Sequence, residues 1–166
     1  MREPPTGVCP VPSEQQPVNE YEQLKESSLF CWPTLEVGVY TRKLIWVWLW
    51  GWLVAGPIAA ASFSPPQQPL RFVLSGGGGA LIFAILILLR LYLGWSYVRD
   101  RLSRETVFYE ESGWYDGQTW PKPPEMLTRD RLIVAYQVQP LLDRLKRSFA
   151  IVALLIGIGS LAWWTS

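Results

Sequence analysis

The chain has no histidine. Haem, di-iron carboxylate and zinc sites, and serine–histidine–aspartate hydrolysis, nearly always recruit imidazole, so these classes lose their usual ligand or base together. Cysteine is nearly as scarce: Cys9 and Cys31 both precede the first apolar block. They are too few and too far apart for a metal knuckle, and two unpaired thiols in a reducing compartment are the expectation. An excess of one charge is missing too, since 15 basic residues face 14 acidic ones, so nothing advertises nucleic acid as a partner. The opening MREPPTGVCPVPSEQQPVNEYEQ shows neither the basic start and apolar run of a cleavable signal nor a lipidation pattern.

What the chain does have is apolar residues, 49% of its 166 positions, gathered in blocks. LIWVWLWGWLVAGPIAAA, from about Leu44 to Ala61, is uncharged and near the ~18-residue threshold for crossing a bilayer. A second block runs from about Leu70 to Leu93 with Arg90 near its end, and a third from Phe149 to Trp164 extends backwards to Pro140 as an amphipathic entry. The expected fold is an all-α membrane protein of three transmembrane helices, a hairpin plus one. Its parts are an N-terminal segment (1–43), the hairpin (44–93), a loop with a small β-hairpin and an amphipathic helix (94–139), and the third span with a short C-terminus (140–166). Lysine and arginine number four before the first span, one (Arg71) between the first two, ten from Arg90 to Arg147, and none after. The positive-inside rule therefore predicts a cytoplasmic or stromal N-terminus and long loop, and a lumenal or periplasmic C-terminus.

SFSPPQQPLR between spans one and two is a tight turn, so these helices are expected to be antiparallel neighbours. Small residues recur at four-residue spacing on both sides of that turn. Ala55, Gly56 and Ala59 on one span, and Gly76, Gly78 and Gly79 on the other, are the candidates for close packing. Trp46, Trp48, Trp50 and Trp52 alternate, which at ~100° per residue splits them into two opposite faces. Trp52 lies about 13 Å deeper than Lys43, past an ordinary interfacial belt. Beside the belt reading stands one in which one face meets lipid while the other meets a helix or a partner's pigment.

In YEESGWYDGQTWPKPP, TVFYEE ahead of the Ser112-Gly113 turn and the aromatic return from Trp114 to Trp120 predict a hairpin. That hairpin would set Glu111 near Trp114 and Tyr109 near Asp116. After it, KPPEMLTRDRLIVAYQVQ reads as a helix that Pro140 breaks or redirects into the third span. Glu110 and Glu111 are a poor acid–base dyad, because neighbours on a strand point to opposite faces. The candidate docking residues are Tyr109, Glu110, Glu111, Trp114, Tyr115, Asp116 and Trp120, with the Arg129, Asp130 and Arg131 patch, which also reads as an interfacial face for lipid phosphates.

CPVPSEQQPVNEYEQLKES, FCWP, YEESGWYDGQTWPKP and LTRDRLIVAYQVQPLLDRL resemble the hypothetical chloroplast reading frame thirty-six family, uncharacterised cyanobacterial and plastid membrane proteins conserved in the green lineage and diatoms. The resemblance covers the chain from Cys9 to about Leu145. It implies a photosynthetic membrane, thylakoid or plasma, and a supporting role in photosynthesis, with plant relatives associated with acclimation to low iron. It supplies no catalytic residue and no cofactor. The expected function is a non-enzymatic auxiliary protein for assembly, stability or regulation of a photosynthetic complex, whose partners are membrane lipids and subunits of that complex. The alternative is a pigment, quinone or lipid carrier. Without histidine, chlorophyll magnesium would be left to amides, carboxylates, carbonyls or water. A membrane-surface enzyme using Glu110, Glu111 and Asp116, or a transport protein, ranks behind these.

Overall fold

A computed structural model of the chain describes residues 11–109 and 117–165. Helix α1 spans Pro17–Glu26 and a 3-10 turn Trp32–Thr34 follows it; α2 spans Val37–Ser62 and α3 Pro69–Ser103. Strands β1 (Thr106–Tyr109) and β2 (Gln118–Pro121) form one antiparallel pair. Helix α4 (Pro124–Ile133), a π-turn (Val134–Val138) and α5 (Gln139–Thr165) complete the chain. Three helical stretches, Val37–Ser62, Pro69–Ser103 and Pro124–Thr165, are long and apolar enough to cross a membrane.

Proline starts α1, α3 and α4, where its missing N–H costs nothing and its fixed φ suits the first helical turn. Helix α3 runs ten residues beyond the expected end at Leu93, so the loop drawn from 94 begins as helix. At about 1.5 Å per residue its 35 residues reach roughly 52 Å, well past a ~30 Å hydrocarbon layer. The reason is a buried stripe: Ala84, Leu88, Leu91, Trp95, Val98 and Leu102 are all buried at alternating four- and three-residue steps. Arg99, Asp100 and Arg101 lie off that stripe and do not interrupt it. Likewise α2 begins at Val37, so the expected boundary at residue 43 falls within a helix.

Pro140 does not break the chain. The helix widens just ahead of it, where the Gln139 N–H bonds the Val134 carbonyl. An i→i+5 turn adds one residue and accommodates the N–H that proline lacks, so α4 and α5 form one continuous stretch. The β-hairpin also differs from its expected register: Tyr109 pairs with Gln118, and Val107 with Trp120. The slip from Asp116 is two residues, which keeps each side chain on its expected face.

The main core lies at the end of the helices that carries the hairpin. Tyr21 and Tyr40 join Leu88, Leu91, Trp95, Val98 and Leu102 of α3, Val138 of the π-turn, and Leu142 and Leu145 of α5. Polar contacts draw the segment before α2 onto this core. The Trp95 indole N–H donates to Phe30 O at 3.1 Å, Arg144 donates to Pro33 O (2.7 Å) and Leu35 O (2.6 Å), and the Tyr21 hydroxyl donates to Gln137.

Candidate functional site

Two parts of the molecule stand out: a polar cap at the hairpin end and a long groove along the helices. The cap is organised by Lys122. Its ammonium is buried and donates to Asp130 Oδ2 at 2.7 Å and to the carbonyls of Arg101 (3.1 Å) and Leu102 (3.0 Å). Those carbonyls belong to the last turn of α3, whose orphan acceptors and negative dipole end favour a cation. One side chain thus locks hairpin, α3 and α4 together. Arg101 ties in the N-terminal side, with Nε 3.1 Å from Glu20 Oε2 and Nη2 donating to Gln15 O at 2.9 Å. Burial pushes the Glu20 carboxyl above the usual carboxylate range, against the lowering pull of Arg101.

The docking candidates divide on this cap. Asp130 is fully buried in the Lys122 pair and Tyr109 is 5% exposed beside Val11 and Val107, so neither presents a surface. Reading Asp130 as part of an exposed charged patch is corrected for that reason: the flanking arginines point out while its own carboxylate points in. Trp120 is half-buried and packs on the same small cluster as Val11, which is the internal anchoring that competes with docking. Arg129 and Arg131 remain outward, Arg131 loosely paired with Glu105 at 3.5 Å. Glu110, Glu111, Trp114, Tyr115 and Asp116 lie outside the described residues.

Of the small residues, Ala55 and Ala59 are buried where α2 meets α3, and a Cβ on Gly79 would stand 3.0 Å from that of Ala55. A Cβ on Gly76 would meet the Trp52 ring at 2.5 Å, so only glycine fits. A Cβ on Gly51, a position outside those candidates, would stand 3.0 Å from the backbone Cα and O of Ala80. Gly56 faces the Trp52 ring of its own helix. Gly78 corrects the packing expectation: among the described residues nothing lies within 4 Å of its Cβ position, because it faces the groove.

The tryptophans split as their spacing predicts. Trp46 and Trp50 are 56% and 64% exposed, whereas Trp48 and Trp52 stack edge to face at 5.9 Å, with Trp52 also on Phe72. The Trp48 indole N–H donates to Gly77 O at 3.1 Å, which fixes its ring as a wall of the groove.

That groove, about 1050 Å³, is lined by α2, α3 and α5. It lies between α2 and α5, which each pack on α3 but make few direct contacts with each other. Its two ends are tied. At the cap end the Tyr40 and Ser148 hydroxyls meet at 2.9 Å, and at the other the Phe63 and Trp163 rings stack edge to face at 5.1 Å. Gly77, Gly78 and Gly159 leave its floor open.

The architecture is that of a small α-helical protein with a polar cap and three helical stretches long and apolar enough to cross a membrane. The chain belongs to the CGLD27-like family, described as conserved in the green lineage and diatoms 27, whose match covers residues 9–151. It is 51% identical over 158 residues to the chloroplastic protein Conserved in the Green Lineage and Diatoms 27 of Arabidopsis thaliana, covering 95% of this chain and 46% of that protein. The chain therefore spans about half the length of that relative. The uncharacterized protein ycf36 of Pyropia yezoensis is 49% identical over 89% of this chain and 90% of its own length, and that of Cyanophora paradoxa 46% over 90% and 94%. No solved structure matches.

Proposed function

We propose that this chain is a non-enzymatic auxiliary protein of a photosynthetic membrane that helps assemble, stabilise or regulate one of its complexes through the cap. The observation that carries this reading is the Lys122 lock. A buried ion pair that also caps α3 fixes Tyr109 and Gln118, the ends between which the aromatic and acidic residues 110–116 run, with Arg129 and Arg131 turned outward beside them. Aromatic side chains with arginine are the types that make interfaces effective, and docking needs only their ordered display. The fourteen-to-one division of basic residues about the apolar stretches supports an orientation with N-terminus and cap in the stroma or cytoplasm and C-terminus across the membrane. The chloroplastic relative supports a thylakoid or related location.

A tagged copy purified from native membranes in mild detergent tests this. Photosystem or cytochrome-complex subunits are expected to accompany it, and Trp114→Ala to lose them at normal accumulation. Trp120→Ala, whose ring packs internally, is expected to lower accumulation itself. Subunit-free wild type sinks the proposal. The groove favours a second reading, a lipid, quinone or pigment carrier, because its volume matches the upper range of small-molecule pockets, about 300–1,000 Å³.

A further inference from the structure

The groove is propped open. Helix α5 is tied to α2 through Tyr40 and Ser148 at the cap end and, at the other, through Trp163 on Phe63 just past the end of α2, and between these ties no atoms of the described residues fill it. The lining runs from Val73 to Leu88 on α3 and from Ser148 to Trp164 on α5. At about 1.5 Å per residue that is roughly 22–24 Å, most of a ~30 Å hydrocarbon layer. Close-packed proteins do not leave such a volume empty in a bilayer, so hydrocarbon must fill it.

What selects the occupant is charge at the far end. From Ala55 to Leu89, and again after Arg147, Arg71 is the sole charged side chain. Its guanidinium lies 5.7 Å from the centroid of Trp163, the ring that closes the groove, and no carboxylate stands in the first turn of α3. Arg71 occupies that first turn, where unpaired N–H groups and the positive dipole end add to its charge. A cation at this end of an apolar groove complements one kind of molecule: a lipid with a negative headgroup and long chains.

We propose that the groove holds the chains of an anionic membrane lipid whose headgroup sits at Arg71. The site rests on the three helices crossing a membrane, as in the preceding reading, but not on any partner complex. Phosphate and sulfonate headgroups share the required chemistry.

Native mass spectrometry of the detergent-purified full chain tests it, with phosphatidylglycerol, phosphatidylcholine and a sulfolipid of matched chains added in turn. Wild type should retain phosphatidylglycerol over phosphatidylcholine by about fivefold, the factor one basic residue near a surface contributes. Arg71→Gln should abolish that preference and Arg71→Lys keep it. Gly78→Leu, which meets no neighbour, should lower retention of all three lipids in a folded protein. A sulfolipid held like phosphatidylglycerol shows that net negative charge alone is read, and one released like phosphatidylcholine that an anionic phosphodiester is read; both support the site. Equal retention by wild type, or a preference that survives Arg71→Gln, overturns the headgroup site. Wild-type retention by Gly78→Leu overturns the groove. A chain that stays in aqueous solution without detergent would instead sink the membrane reading itself.

Discussion

Asp130 shows how a single residue can read one way in sequence and stand another way in space. Between two arginines it looks like part of a solvated charged face, yet it is fully buried against Lys122, eight positions earlier. Local sequence carries no sign of this, because the pairing depends on the hairpin folding back over the end of α3. Removing one partner of a buried pair leaves the other charge stranded, so Asp130→Asn should cost about 3–5 kcal/mol, read as a lowered denaturation midpoint in detergent. Lys122→Met with Asp130→Leu should cost distinctly less, since no charge is then buried alone. If Asp130→Asn unfolds like wild type, the lock is not formed. Glu20 gives a pH test. Its folded pKa is raised above the ordinary 4.5 by burial, so the folded state holds its proton more tightly than the unfolded one. Its stabilising contribution is full below 4.5 and is lost as pH rises through the raised value. Glu20→Gln should flatten that fall in a pH series of unfolding midpoints, and coincident slopes for variant and wild type would remove the shift.

At the scale of elements, the helices written as unbroken apolar runs were legible, and those carried by pattern through charge were not. LIWVWLWGWLVAGPIAAA announces α2, but the last ten residues of α3 hide among arginines and are found only by following Leu91, Trp95, Val98 and Leu102. The opposition of Trp46 and Trp50 to Trp48 and Trp52 followed from helical rotation alone. The use of each glycine did not, because four consecutive glycines present all sides of the helix and only the neighbours decide which side is crowded. The difference is measurable. Gly79→Leu should drive Ala55 away and lower thermal stability, because a Cβ added at Gly79 would already stand 3.0 Å from the Ala55 Cβ. Gly78→Leu should be tolerated. Equal loss in both variants would contradict the assigned α2–α3 interface.

For the whole molecule, the family and a three-helix architecture were readable from long motifs and apolar blocks, while the cap was not, since it is assembled from segments up to 116 positions apart, as in the contact of Tyr21 with Gln137. The proposed orientation follows from charge and is open to protease added outside sealed right-side-out vesicles. Cleavage should spare residues 104–123, and cutting there with the vesicles intact would reverse the topology.

The central claim, that the cap docks on a photosynthetic complex, meets its most direct test in photo-crosslinking in native membranes. A photoreactive phenylalanine analogue would replace Arg131, whose side chain is 59% exposed at the cap surface, with the same probe at Leu154 on the exposed side of α5 as the control. The account predicts an adduct with a subunit of a photosynthetic complex from position 131 and lipid adducts from position 154. Lipid or self-adducts alone from position 131, in membranes where the complexes are intact, would contradict it.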